Sequence, residues 1–150
     1  QVTKIAVTKF FAGEGETPSR TIIPGLFNLI LTHNPGAAWG LLGSIHPDWL
    51  RILVFILISV SAVAMVIWLA WKAKRDQKLL VFAAALVLGG ALGNLIDRVY
   101  AGYVLDFFDF YWGGWHFWAF NIADASITIG VALMILDLLG AGHTRVSRTV

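Results

Sequence analysis

Asn94 and Asp97 form one amide and acid pair three residues apart, and Asn121 and Asp124 form a second. In a helix that spacing puts both members of a pair on one face. Each pair lies at the end of a segment apolar enough for a lipid bilayer, where an ionisable group costs on the order of 3 kcal/mol unless paired, hydrated or neutralised, and therefore marks a functional site. Asp106 lies in the connection between them and can fold back to the same depth. Two carboxylates held close in a partly dry site cannot both ionise cheaply, so one pKa rises and the pair shares a proton. Aspartate-based peptide hydrolysis needs that state. The ionised member takes a proton from the water that attacks the carbonyl, while the protonated member stabilises the oxyanion and then protonates the leaving amine. Neither a metal nor a nucleophilic serine takes part.

The elements that must position these residues follow from composition. Of the 150 residues, 58% are hydrophobic and 13% charged, with a mean hydropathy of +0.75. Soluble domains have about 45–50% apolar and about 25% charged residues, so this is a membrane protein. Its length allows one domain, 1–150, and a handful of helices. Three spans are visible, at about 52–71, 79–96 and 119–139. The net charge is only +2, and the Lys and Arg residues flank apolar segments instead of forming a stripe. That pattern excludes nucleic-acid binding and serves membrane orientation. With no cysteine in the chain, disulfides, thiol nucleophiles and cysteine-held metals are excluded.

The connection 72–78 carries four positive residues, and the tail carries Arg145 and Arg148. The positive-inside rule makes both cytoplasmic. The loop 97–118 and residues 1–51 then face the other side. An outer segment of that length needs a preceding span to carry it across, so the topology predicts one more helix before Gln1 and four spans in all. Residues 13–20 have loop chemistry, and 21–33, broken by Pro24 and Gly25, predict short strands at the outer surface. Nine aromatics between Phe107 and Phe120 predict an interfacial belt anchoring an outer loop. Gly89 and Gly93 form a small-xxx-small pair, a packing feature before it is a functional one.

Other polar residues have plainer readings. Asp97 is expected to pair with Arg98 or a backbone group, and Asp109 to be solvated in the outer loop. Asp137 lies thirteen residues after Asp124, about 20 Å along a helix, and belongs to the opposite end. His33, His46, His116 and His143 show no metal-ligand spacing, so no metal or cofactor is expected. Asn34 before Pro35 by itself reads as a turn. Two rival functions use the same residues: a small proton-coupled transporter relaying ions through intramembrane acids, and a noncatalytic assembly protein using glycines and aromatics for helix contacts. The transporter predicts carboxylates spread through the membrane depth, whereas here they gather at one end.

The motifs taken together resemble those of the lipoprotein signal peptidases, the signal peptidase II family. Asn34-Pro35-Gly36-Ala37-Ala38-Trp39 matches N-x-G-A-A-F/W, and Gly93 to Arg98 matches G-N-x-x-D-R. Gly102 to Phe107 matches G-x-V-x-D-F, and Phe120 to Asp124 matches F-N-x-A-D. Gln1-Val2-Thr3-Lys4 supplies the tail of the family's first motif, without the Asp that opens it. The resemblance implies an all-α polytopic helical bundle with a small periplasmic β-cradle and a periplasmic loop. It implies that Asp106 and Asp124 form the catalytic pair of a metal-independent aspartic endopeptidase. Asn34, Gly36, Gly90, Asn94, Asp97, Arg98, Asn121 and Ala123 would support the pair or bind substrate. It further implies lipidated prolipoprotein substrates cut just before the diacylglyceryl cysteine, contact with membrane lipids, inhibition by globomycin at the same site, and residence in the bacterial inner membrane with the site at the periplasmic face.

Overall fold

A computed structural model describes residues 1–36, 45–74 and 77–146, with side chains to position 139. Ala37, Ala38 and Trp39 of the first outer motif, Arg75 of the basic connection and Arg148 of the tail lie outside the described residues, as do the side chains of His143 and Arg145.

Among the described residues three helices are long and apolar enough to cross a membrane: α2 (Asp48–Lys72), α3 (Lys78–Ala101) and α4 (Ile122–Val146), the last over Ile122–Leu139. A short α1 (Val2–Phe10) precedes them. α3 lies between α2 and α4 and packs most extensively on α4. Absent side chains allow this close approach. A Cβ on Gly90 would sit 2.4 Å from the Ala123 carbonyl oxygen, and one on Gly130 would sit 2.6 Å from Val87 Cγ2. Gly89, one of the two glycines singled out by spacing, faces open space. The contact face therefore runs through Gly93, one of the expected pair, and through Gly90 in place of Gly89. Val66, Ala84 and Val87 form the buried core of the bundle, with Ala70, Leu88 and Met134 against it. Outward positions such as Leu57, Val60, Ile135 and Leu138 remain exposed and apolar, as a lipid-facing surface requires.

The helix ends differ from the limits of the apolar runs. α2 begins earlier than residue 52, its first turn held by an Arg51–Asp48 ion pair at 3.1 Å. α3 continues beyond Ile96 through Asp97 and Arg98, because charge ends an apolar run without ending a helix. It stops at Gly102, whose φ of +79° and N–H bond to the Arg98 carbonyl (3.1 Å) make a left-handed C-cap. α4 starts at Ile122, not near 119, because Phe120 exchanges backbone bonds with Phe108 (3.1 and 2.9 Å).

A four-stranded antiparallel sheet in the order β1-β2-β3-β4 stands over one end of the bundle. Its strands are β1 (Ser19–Ile23), β2 (Phe27–Asn34), β3 (Val104–Trp112) and β4 (Trp115–His116). β2 and β3 pair from Phe27 opposite Phe110 to Asn34 opposite Val104, with a register shift between Leu29 and Thr32. Opposite that shift Asp106 and Phe107 are both buried, breaking strict alternation. The aromatic stretch is thus a strand, not a free loop. Phe27, Phe110 and Phe120 stack (4.9 and 5.9 Å between centroids), while Trp112 stays 80% exposed beside the Gly113 turn. Asp109 is likewise not solvated: it is buried opposite Asn28, accepting from Asn28 Nδ2 at 2.8 Å, and it lies 2.8 Å from His116 Nδ1. Strand pairing turns it onto its neighbours.

Candidate active site

The start of α4 is built by two of the singled-out residues. Asn121 immediately precedes the helix, and its Oδ1 accepts the N–H groups of Ala123 (2.7 Å) and Asp124 (3.2 Å). Asp124 reaches back, its Oδ2 accepting the Asn121 N–H at 3.0 Å. This reciprocal arrangement is a capping box. Asn121 and Asp124 are therefore not two positions on one helix face, as spacing suggests, but the two halves of a helix cap. The first helical turn also favours negative charge through its unsatisfied N–H groups.

The second amide ties this cap to α3. Asn94 Nδ2 donates to Asp124 Oδ1 at 2.7 Å, and Asn94 Oδ1 accepts from Asn121 Nδ2 at 3.3 Å. Asn121 Nδ2 also donates to Asp106 Oδ1 at 2.7 Å, which brings β3 into the same network. From β2, Asn34 Nδ2 donates to Asp106 Oδ2 at 2.9 Å, while its Oδ1 accepts the Gly36 N–H at 3.0 Å. Asn34 thus keeps its turn role and holds an acid as well. Both oxygens of each carboxylate accept a hydrogen bond from an amide or the backbone.

Asp106 and Asp124 open into one cleft of about 480 Å³. Asn34, Gly36 and Arg98 contribute to its polar side, and Val104, Phe117, Trp118, Phe120, Ala125 and Ile129 to its apolar side. Asp106 is 2% exposed. Burial pushes its pKa up to about 6; the Asn34 donor opposes that, the Asp124 charge adds to it, and Asn121 and Lys4 pull the other way. A buried carboxyl beside a second acid can hold a proton near neutral pH.

Arg98 places Nη1 3.4 Å from the Asn94 carbonyl, with its guanidinium carbon 5.1 Å from the Phe55 ring centroid. Gly90 and Ala123 serve the approach of α3 to α4: Gly90 has no room for a Cβ, and a Cβ on Gly93 would touch the Ala123 methyl at 3.5 Å. Asp97 does not pair with Arg98. It is bound by Lys4 Nζ and Gln1 Nε2 (2.9 Å), and it accepts the Leu105 N–H at 3.1 Å, the backbone contact expected of it. That last bond ties the end of α3 to β3 one residue before Asp106.

Lys4 is the residue that sequence reasoning left without a role. It is buried at 3% exposure and donates to both Asn94 and Asp97. A lone cation beside Ile5, Ala6 and Val7 was the available signal, since lysine is almost never fully buried without a partner. Asp137 lies at the other end of α4, 3.5 Å from Gln77 Nε2. Among the described residues no group of three or more His, Asp or Glu side chains is arranged to hold a metal ion.

The family model described as signal peptidase (SPase) II matches residues 1–140. The chain belongs to the signal peptidase II family. It is 47% identical over 139 residues to a lipoprotein signal peptidase of Ralstonia nicotianae, covering 93% of this chain and 76% of that protein. It is 45% identical over 139 residues to one of a Janthinobacterium species, covering 93% and 80%. Two solved structures, both described as a bacterial membrane enzyme obtained by the in meso method, superpose with TM-scores of 0.77 and 0.74. Both are 34% identical to this chain; the alignments cover 93% of it and 84% and 88% of theirs. A multi-pass membrane protease with a helical bundle and a small sheet agrees with these relatives.

Proposed function

We propose that this signal peptidase II removes the signal peptide from bacterial prolipoproteins, with Asp106 and Asp124 as its catalytic acids and without a metal. The observation that carries the reading is the opening of both carboxylates onto one cleft while Asn34, Asn94 and Asn121 hold them. Asp106, buried and with its pKa raised to about 6, is the member that holds the proton. Asp124, accepting two N–H bonds in the first turn of α4, is the member that takes the proton from the attacking water.

In the forward step a water gives one proton to Asp124 and its oxygen attacks the scissile carbonyl carbon, while Asp106 gives its proton to the carbonyl oxygen. The intermediate carries two hydroxyls on one carbon. In the second step Asp124 passes its proton to the amide nitrogen and the C–N bond breaks. One hydroxyl returns its proton to Asp106, leaving a carboxylic acid, an amine and both aspartates as they began.

The apolar flank of the cleft descends along α4 through Ala125 and Ile129, which suits a substrate arriving sideways through the bilayer. Its scissile bond lies just before the lipidated cysteine at headgroup depth. Arg98 and the Asn34 to Gly36 turn orient the substrate backbone; Asn94, Asp97, Asn121, Gly90 and Ala123 hold the acids and helices in place. Lys72, Lys74 and Lys78 crowd the opposite end of the bundle, so the positive-inside rule puts the acids at the periplasmic face of the inner membrane. Membrane lipids surround the exposed apolar faces, and globomycin competes for the same cleft. Gathering the acids at one end speaks against the transporter.

Replacing Asp106 or Asp124 with Asn tests the reading directly. Each variant is expected to lose at least about 10³-fold in cleavage of a lipidated precursor while keeping the parent's thermal unfolding profile. Turnover at the parent rate in either variant removes that residue from the mechanism.

A further inference from the structure

We infer that Lys4 is a positioning residue for the acid pair: by donating to Asn94 Oδ1 it fixes which way the Asn94 amide points, and so keeps the amide NH2 on Asp124. This inference rests on the proposed role of Asp124. An asparagine amide has an acceptor end and a donor end, and rotation by 180° about its last bond exchanges them. With Oδ1 toward Lys4, Asn94 meets an ammonium at 2.8 Å on one side and presents NH2 to Asp124 at 2.7 Å on the other. In the rotated state NH2 would face an ammonium that has no acceptor, and the amide oxygen would face a carboxylate oxygen. Both contacts would be repulsive, so a charged Lys4 admits one orientation only.

The second donor to Asn94 Oδ1, Asn121 Nδ2, lies at 3.3 Å and gives its shorter bond, 2.7 Å, to Asp106. It is a poor substitute. Lys4 is itself held by Asp97, which the Leu105 N–H and Gln1 Nε2 also address. The resulting chain runs from Asp97 through Lys4 and Asn94 to Asp124, and most of it is buried. The hydrogen bonds of Lys4 go to Asn94 and Asp97, so its bonded route to Asp124 runs through Asn94, while its charge also favours the ionised form of Asp106. A plain structural role, an ion pair fastening α1 to α3, predicts lost stability without a change in the chemistry of the folded enzyme.

The sequence supplies a clean test, because the chain has four asparagines and no cysteine. In protein labelled with 15N-asparagine, the side-chain amide protons of Asn94 report their hydrogen bond to Asp124 whether or not Asp124 is catalytic. Lys4→Met is expected to shift these resonances upfield. It is also expected to lower kcat per folded molecule about 100-fold with KM within threefold of the parent. Unchanged Asn94 resonances overturn the inference, and so does a folded Lys4→Met protein whose kcat stays within threefold of the parent.

Should Lys4→Met fail to fold, Lys4→Cys alkylated in the unfolded state with 2-bromoethylamine and refolded restores an ammonium at nearly the original reach. Alkylation with 1-bromopropane gives a neutral group of the same shape. A kcat per folded molecule at least tenfold higher with the ammonium than with the propyl group, together with Asn94 amide resonances restored by the ammonium alone, supports the inference; equal kcat per folded molecule, or equal Asn94 resonances, overturns it. Were the Asn94 resonances to move while Asp124→Asn stayed active, the amide would be oriented by Lys4 and the proposed chemistry would be wrong.

Discussion

Asn34→Ala separates the proton-holding role of Asp106 from every other duty of the cleft. Asn34 Nδ2 donates to Asp106 Oδ2 at 2.9 Å and is the strongest influence opposing the effect of burial on that carboxyl. An N–H donor favours the carboxylate over the acid, so its removal makes Asp106 harder to ionise and moves its pKa up from about 6. A hydrogen bond to a charged group contributes about 1.5–3 kcal/mol, and about 1.36 kcal/mol corresponds to one pH unit. Loss of the whole bond would amount to about 1–2 units. Water entering the open side of the cleft returns part of it, so a shift of about one unit is expected. The measurement is kcat/KM against pH on a lipidated fluorogenic precursor, whose alkaline limb reports the protonated acid of the free enzyme. That limb should move toward higher pH in the variant. Lost substrate contacts lower the whole curve without displacing the limb, so the two effects separate. A limb that stays within about 0.3 unit of the parent, or moves toward acid, refutes the assignment of the proton to Asp106.

Gly90→Ala forces α3 and α4 apart at the Ala123 carbonyl and should cost about 1–3 kcal/mol of stability together with at least tenfold in turnover, because it opens the Asn94–Asp124 bond. Gly89→Ala meets nothing within 4 Å and is the control: thermal unfolding should show no loss, and a destabilisation as large as that of Gly90→Ala would contradict the packing argument. Asp109→Ala leaves Asn28 and His116 without their shared partner. It should lower stability by about 1–3 kcal/mol and speed limited proteolysis at the Gly113–Gly114 turn, with parental cleavage kinetics arguing that β4 is held by its aromatics alone.

The spans were legible because hydropathy is a local property. Their ends were not: the last turn of α3 depends on a left-handed glycine at 102, and the first turn of α4 on a cap that competes with strand pairing at Phe120. Short strands over 21–33 were legible from Pro24 and Gly25, although Ser19 and Arg20, read as loop, already belong to β1, and β3 hid within a run of aromatics. Its partner is some 75 residues away in sequence, and no local pattern encodes that pairing. Comparable separations concealed Asn28 from Asp109 and both Asn94 and Asp97 from Lys4. Residue types and spacing singled out Asn94, Asp106, Asn121 and Asp124 as a group, since polar side chains in an apolar chain need one another. Which amide serves which acid emerged only from tertiary geometry.

The reciprocal cap at Asn121 and Asp124 bears on when such an enzyme becomes dangerous to its neighbours. One of its two acids is seated by the same bonds that begin α4, so on the proposed mechanism a chain halted before that helix forms has nothing to cut with. Competence on that mechanism arrives with the turn that joins Asn121 to Asp124, and not before it.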